Sequence, residues 1–543
     1  DKTARLWQRD ASVWTSRDEA DWLGWLDIVG QSLEQLEELQ SAVSELMAGG
    51  IRQVVLLGMG GSSMAPEVLH DTFGHAPEHP ELLVLDSTDP GQIASVEARL
   101  DLAHTAFVVA SKSGSTLEPN ILMAWFYQRM VDTVGAELAA THFIAITDPG
   151  SSLEQQAGKD GFRYIFPGRA DIGGRFSALS NFGVVPAAII GMDCRRFLDN
   201  TQQMVTACAT QSPAAENPGV LLGAMLGVAA LNGHDKLTLV ASPQVASTGA
   251  WLEQLIAEST GKQGRGVLPL DGEPVGAPEV YGDDRVFVYL RLEGSADAGQ
   301  DAAIERLEQA SQPVIRINIT DIYNLGQEFF RWEIATAVIG ALLEVNPFDQ
   351  PDVEASKIET RKLMGAFETG DKLPGEVPLA SDGQLVLYAD AHNAAELGDL
   401  CGEDASVAGF LKAHLGRIQA GDYVAFLAYL ERNETHTQLI QAMRETLRDT
   451  HRVATCLGFG PRFLHSTGQY YKGGPNNGVF LQLSGDTVHD LPVPFERYSF
   501  GMAEAAQARG DFEVLAERGR RALRVHLGSD VVAGLRRLGD LLL

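Results

Sequence analysis

Short apolar runs that end in small or polar turns, separated by helix-length segments, constrain the fold of this chain more than any other feature. "QVVLLGMGG", "ELLVLDST", "AFVVASKSG" and "HFIAITDPG" follow one another between Gln53 and Gly150. Such runs read as strands, and strands alternating with helix-length segments predict a parallel sheet in an α/β layer architecture. The pattern returns with "KLTLVASP", a helix through "AWLEQLIAES", "RVFVYLRL", "PVIRINITD" and a long helix from about Gly326 to Glu344. Two such units would face each other across a cleft. Ligands of open α/β sheets collect beyond the carboxyl ends of the strands, where these turns lie.

Trp22, Leu26, Val29, Leu33, Leu36 and Leu39 recur at three- and four-residue intervals and predict an amphipathic helix over residues 18–48. "GDKLPGEVPLASDG", residues 370–383, is rich in Gly, Pro and polar residues and reads as a linker. Beyond it, "QLVLYAD", "YVAFLAYL", "VATCLGF" and "GVFLQLS" predict strands of a third α/β unit with a helical C-terminus. The expected division is a helical segment 1–49, α/β units 50–230 and 231–369, and a C-terminal α/β extension 370–543. A chain of 543 residues suits such a multi-domain plan.

With 72 acidic against 42 basic residues the net charge is −30, which argues against nucleic acid as a partner. An anionic ligand must therefore be held by a local pocket. Cys194, Cys208, Cys401 and Cys456 show no C-x-x-C spacing, and a reducing cytoplasm fits them best. No apolar run approaches a membrane span and no secretory signal is visible, so a soluble protein without a membrane partner is expected. The chain starts at Asp1 without Met, so it is expected to belong to something longer.

Several turns have the composition of a binding site. Ser111, Lys112, Ser113, Gly114, Ser115 and Thr116 lie between a strand and a helix, and offer hydroxyls, backbone N–H groups and a helix N-terminus to one phosphate. The alternative is an ordinary turn with hydroxyl caps. "GMGGSS", residues 58–63, resembles half of a dinucleotide fingerprint, but Ser63 replaces its third glycine and Asp86 is a poor ribose partner. Close helix packing explains these glycines equally well. Arg175 follows two glycines that let a backbone approach a ligand, and a cation there suits an oxyanion. Gln254 and Glu258 share one helix face, and the apolar approach "WLEQLIAE" would partly desolvate Glu258, the setting of a general base. A surface arginine and a solvated helix-end glutamate are the competing readings.

Taken together, "GMGGSS", "SKSGST", "GGRFS", "QLIAESTGK" and "NPFDQPDVEASK", in that order from Val54 to Lys357, resemble phosphoglucose isomerase. The resemblance implies a pair of flavodoxin-like sugar-isomerase domains. It further implies interconversion of glucose 6-phosphate and fructose 6-phosphate through a cis-enediolate, in glycolysis and gluconeogenesis, with no metal and no cofactor. By motif, Ser111, Ser113 and Thr116 would hold the phosphate with Lys112 in the same loop, Gly61 and Ser62 would line the sugar site, and Gln254 would touch the ligand. Glu258 would be the base, Arg175 would stabilise the enediolate, and Lys357 would assist ring opening. Family members are commonly dimers, so a homodimer is implied. The C-terminal region, with "GFGPRFLHSTGQ", is similar to the isomerase half of bifunctional transaldolase/phosphoglucose isomerase proteins, which implies a fused N-terminal transaldolase part. No transaldolase segment is visible in these residues.

One position departs from the family. Ahead of "NPFDQP" the family has a ring-opening histidine, whereas "NLGQEFFRWE" puts Gln327 there, beside Glu328. Glutamine cannot cycle a proton near neutral pH. His465, in the glycine-rich loop "GPRFLHSTGQYYKGGPNNG", is expected to reach the cleft and replace it. Two other functions fit parts of the pattern: a non-catalytic phosphosugar sensor, and a nucleotide-dependent dehydrogenase built on "GMGGSS".

Overall fold

A computed structural model describes residues 2–370 and 373–542. Five parallel strands form the first sheet: β1 (Gln53–Gly58), β2 (Glu81–Leu85), β3 (Thr105–Ala110), β4 (Phe143–Thr147) and β5 (Tyr164–Pro167). Their order is β2-β1-β3-β4-β5, a flavodoxin-like arrangement whose switch point falls between β1 and β3. The central strands are buried on both faces, which is why they read as unbroken apolar runs. Strand β5 escaped the sequence reading because it is a short, partly exposed edge strand ending in Pro167.

The second sheet is also parallel, with β6 (Lys236–Ala241), β7 (Leu268–Leu270), β8 (Arg285–Leu292) and β9 (Val314–Ile319) in the order β7-β6-β8-β9. One apolar core joins both sheets, with Trp25, Trp251 and Trp332 fully buried in it. Between the sheets, helix Pro218–Leu231 lies against helix Leu325–Leu343. A side chain on Gly223 would come within 2.5 Å of the Ala335 carbonyl, so the glycine allows that close approach. The N-terminal stretch differs from the single predicted helix. It makes 3-10 turns at Glu19–Trp22 and Gly24–Asp27, then helices Ile28–Glu34 and Leu36–Ala48, because Leu23 is drawn into a β-bridge with Ile172.

The C-terminal sheet is mixed. It contains β10 (Ala380–Ser381), β11 (Val386–Tyr388), β12 (Tyr423–Tyr429), β13 (Ala454–Phe459), β14 (Gly478–Ser484) and β15 (Arg521–His526), in the order β10-β11-β15-β14-β12-β13. The last four in that order are mutually parallel, while β10 and β11 are antiparallel additions. The chain ends in the expected helix, Val531–Leu542, but strand β15 before it escaped the sequence reading: its arginines interrupt the apolar run, yet Arg524 is buried by ion pairing. Residues 371 and 372 of the segment read as a linker lie outside the described residues, and β10 occupies part of the remainder.

This third unit docks over the other two. Arg462 forms ion pairs with Glu67 and Asp86, Thr88 donates to Gln507 at 2.8 Å, and helix Pro351–Gly370 packs on helix Phe500–Glu517. Among the described residues, no helix is long and apolar enough to cross a membrane.

Candidate active site

The loops after β1 and β3, on either side of the first sheet's switch point, open into a cavity of about 430 Å³. Gly61 and Ser62 line it from the first loop, and Ser111, Lys112, Ser113 and Thr116 from the second. Thr116 is the N-cap residue of helix Leu117–Val134, yet its side chain makes no capping hydrogen bond. The helix N-terminus therefore keeps unclaimed N–H groups facing an anion-sized loop. That observation favours an anion site over a capped turn. The Lys112 ammonium is already engaged, 2.7 Å from both an Asp148 oxygen and the Arg169 carbonyl, so it braces the loop.

The glycines of "GMGGSS" are explained by packing. A side chain on Gly61 would stand 1.9 Å from the Gly174 carbonyl, and one on Gly60 would stand 2.7 Å from the Gln254 amide nitrogen. The two loops touch backbone to backbone, which sets Arg175 beside the cavity. Asp86, the poor ribose candidate, is buried and accepts from Ser63 at 2.9 Å as well as pairing with Arg462. It has no face left for a nucleotide.

Arg175 and Glu258 meet in the cavity wall, with Nη1 3.4 Å from Oε1 and exposures of 2% and 7%. The guanidinium is held by Ser259 Oγ at 2.7 Å, Gln350 Oε1 at 2.9 Å, and the carbonyls of Pro347 and Asp349 at 2.7 and 2.9 Å. Those carbonyls belong to the "NPFDQ" turn, which Lys262 fixes through the Asn346 carbonyl and through Asp349 at 2.8 Å. Burial and the nearby Arg175 push the Lys262 ammonium down to about 7. Glu258 lies on helix Thr248–Thr260 one turn after Gln254, whose amide donates to its Oε2 at 3.1 Å and to the His465 carbonyl at 2.9 Å. Lys357, on helix Pro351–Gly370, lines the same cavity with its ammonium 2.8 Å from Glu354.

His465 enters this cavity from the C-terminal unit, as expected from its loop. Its Nε2 is 3.0 Å from Glu118 Oε1, and Gln507 donates to the same oxygen at 2.6 Å. Burial would raise the Glu118 carboxyl, but the charge and hydrogen bond of His465 outweigh it and hold it below its ordinary range. Gln327 lies elsewhere: its amide donates to the Asn200 carbonyl at 3.1 Å and it is not among the residues lining the cavity. Lys472, from the His465 loop, pairs with Asp511 at 2.5 Å in the interior of the third unit. Sequence reasoning missed Glu118, Gln350, Lys262 and Gln507. Lys262 and Gln350 stood unassigned inside "QLIAESTGK" and "NPFDQPDVEASK", and Glu118 directly after the serine-rich loop in "STLEP"; Gln507 lay in no motif.

Paired flavodoxin-like sheets thus hold a buried carboxylate and arginine in one cavity with an open anion loop, an arrangement suited to proton transfer on a small anionic ligand. The family model described as phosphoglucose isomerase matches residues 26–267. A glucose-6-phosphate isomerase of Rubrobacter xylanophilus is 28% identical over 377 residues, covering 61% of this chain and 87% of that one. A probable glucose-6-phosphate isomerase of Methanococcus maripaludis is 26% identical over 396 residues, covering 65% and 86%. The fold is shared with a glucose-6-phosphate isomerase structure from Chlamydia trachomatis, at TM-score 0.55 and 21% identity over 68% of this chain and 78% of that one. It is shared too with a hypothetical protein from Thermus thermophilus, at TM-score 0.58 and 24% identity over 66% and 93%.

Proposed function

We propose that this protein interconverts glucose 6-phosphate and fructose 6-phosphate by proton transfer through a cis-enediolate. The observation that supports it most is the buried Glu258–Arg175 pair at 3.4 Å, in a cavity shared with the uncapped phosphate loop. Abstraction of a proton alpha to a carbonyl needs a carboxylate in reach of that carbon and a cation for the oxyanion that forms.

In this reading Ser111, Ser113 and Thr116, with the helix N-terminus, hold the phosphate, and Lys112 braces their loop. Gly61, Ser62 and Gln254 contact the sugar. His465, steadied by Glu118, moves the ring-opening proton with Lys357 beside it. Glu258 then takes the C2 proton of the open-chain aldose as the electron pair flows to the C1 oxygen under Arg175; the C2 hydroxyl proton passes to the C1 oxygen, and the same carboxyl returns its proton to C1 as the C2 carbonyl forms. The units 50–230 and 231–369 supply the loop, the arginine and the base, and the extension 370–543 supplies His465. Every group this chemistry uses is a side chain or backbone group of the protein. A phosphosugar sensor is less well supported, because binding alone needs no buried carboxylate beside a buried arginine.

We further propose that a second copy of the chain covers helix Pro218–Leu231, whose outer face leaves Leu221, Met225, Val228 and Leu231 exposed. We place the reaction in the cytoplasm, where the four cysteines, none of them in a disulfide, stay reduced.

The test is a coupled isomerase assay on fructose 6-phosphate with EDTA present, for wild type and Glu258→Gln. The expected result is full activity of the wild type in EDTA and a loss of roughly 10²–10⁴-fold in kcat for the variant. A fully active Glu258→Gln protein, or turnover that requires added metal or nicotinamide, would overturn the assignment.

A further inference from the structure

The C-terminal sheet has a crevice of its own. From β12 the chain passes to β13 on one side, whereas β14, next in sequence, lies on the other side of β12, so β12 and β14 flank a topological switch point. Ligands of open α/β sheets bind outside the carboxyl ends of the strands at such a point. The last residues of three adjoining strands stand in register there, Tyr429 opposite Ser484 and Ser484 opposite His526. All three line a cavity of about 250 Å³ that shares no lining residue with the isomerase cleft.

The inner wall of this crevice is polar and incompletely partnered. Glu504, on helix Phe500–Glu517, lines it at 7% exposure, and its Oε1 has no hydrogen-bond partner among the described residues. Burial, with Asp89 and Asp490 nearby, raises this carboxyl well above its ordinary range, so it keeps its proton and can donate. Ser484 Oγ is 3.2 Å from His526 Nδ1, and His526 Nε2 is 3.1 Å from Asp486 Oδ1. Because a carboxylate only accepts, Nε2 donates to Asp486, and Nδ1 shares a hydrogen bond with the Ser484 hydroxyl. The oxygen of Ser484 then retains lone pairs for a hydroxyl of a ligand.

At the mouth, two arginines converge on one carboxylate from the segment ahead of β10. Glu376 Oε2 is 2.7 Å from Arg524 Nη2 and 3.3 Å from Arg509 Nε. Arg524 is 5% exposed and stacks over Tyr388 at 4.5 Å, and Arg509 donates to the Pro374 carbonyl at 2.7 Å. Converging guanidinium groups suit carboxylate and phosphate alike. A purely structural clamp would account for Glu376, Arg509 and Arg524. It leaves unexplained the open volume behind them and the buried Glu504 Oε1, which has no partner among the described residues, a costly arrangement unless something completes it.

We propose that this crevice is a second small-molecule site, taking the phosphate monoester of a small polyol, with Glu376 as a tethered occupant that the phosphate displaces. The phosphate replaces the Glu376 carboxylate between Arg509 and Arg524, and the polyol hydroxyls meet Glu504 and Ser484. The site is independent of the isomerase assignment, since none of its residues belongs to that cleft.

Titration calorimetry of glycerol 3-phosphate into the full chain tests it, comparing wild type, Glu376→Gln and Glu376→Gln/Glu504→Leu. Removing the tethered competitor is expected to tighten binding about tenfold, and the added Glu504→Leu to loosen it by about the same factor. The leucine replaces an unpartnered buried carboxyl by an apolar group of similar size, so folding is expected to survive, and a thermal melt verifies that. Isomerase turnover of Glu376→Gln should equal that of wild type, which separates this site from the cleft. Glycerol 3-phosphate affinity that is indifferent to Glu376 and Glu504 would overturn the proposal. Inorganic phosphate binding as tightly as glycerol 3-phosphate would overturn its polyol part.

Discussion

Nε2 of His465 lies 3.0 Å from Oε1 of Glu118, a pair separated by 347 residues of chain. Glu118 opens the helix after the phosphate loop, and His465 comes from the docked C-terminal unit. Because Glu118 engages Nε2, Nδ1 is left for proton exchange with a sugar hydroxyl. His465→Ala is expected to lower turnover of cyclic glucose 6-phosphate by roughly 10²–10⁴-fold. Isomerisation of a four-carbon aldose phosphate, whose ring-closing hydroxyl bears the phosphate, should be nearly preserved. Equal losses on both substrates would show that His465 acts in the proton transfer between carbons or only in packing.

Thr116 leaves the helix N-terminus uncapped, and Ser113 Oγ lies 2.9 Å from Ser115 Oγ in the same loop. Hydrogen bonds to a charged group contribute about 1.5–3 kcal/mol each, so Ser113→Ala/Thr116→Ala should cut kcat/KM for fructose 6-phosphate by roughly 10²-fold or more. The loss should be small for slow turnover of unphosphorylated fructose. Steady-state kinetics on the two sugars decides it: a parallel loss on both would exclude a phosphate role.

Gly61 sits where a Cβ would meet the Gly174 carbonyl at 1.9 Å. Gly61→Ala must push the β1 loop and the Arg175 loop apart, with an expected destabilisation of about 1–3 kcal/mol. Because a displacement of about 1 Å at a reacting group costs on the order of 10²-fold, kcat should fall by at least that much. Gly158→Ala, at a helical position with no heavy atom within 4 Å of the added carbon, is the matched control. It should be neutral or stabilising by up to about 1 kcal/mol.

Glu328 is buried next to Gln327 on helix Leu325–Leu343, and burial pushes its carboxyl from 4.5 up to about 7 against the pull of Arg331 at 3.3 Å. A raised folded-state value means the native protein holds this proton where the unfolded chain has lost it. The resulting stabilisation is complete below about pH 4.5 and is lost as pH rises through about 7. At roughly 1.4 kcal/mol per unit the effect is about 3–4 kcal/mol. Thermal melts from pH 5 to 8 should show Glu328→Gln gaining on wild type as pH rises. A constant difference between the two would refute the linkage.

The doubled parallel sheet was legible because strands buried on both faces have to be apolar throughout, and "QVVLLG", "AFVVA" and "RVFVYL" are. The edge strand β5 was not, because it is partly exposed, nor was β7, whose three buried residues are too few to show a pattern. Strand β15 was hidden for another reason. Its buried Arg524 depends on Glu376, Tyr388 and Phe512, none of which is near in sequence. At the cleft, each residue picked from a motif lies in the wall of one cavity, Lys112 among them, although Asp148 and the Arg169 carbonyl claim its ammonium.

Local sequence determined the strand ends, the phosphate loop between β3 and its helix, and the one-turn spacing of Gln254 and Glu258, because each depends on residues within a few positions. Only the tertiary structure decided that Gly61 would seat Arg175, that Lys262 would hold the turn behind it, and that His465 rather than Gln327 would face Glu118. Those relationships arise when separate units bury complementary surfaces against one another. Hydrophobic burial brings the units together, and hydrogen bonds and charge pairs such as Arg462 with Glu67 and Asp86 select one docking.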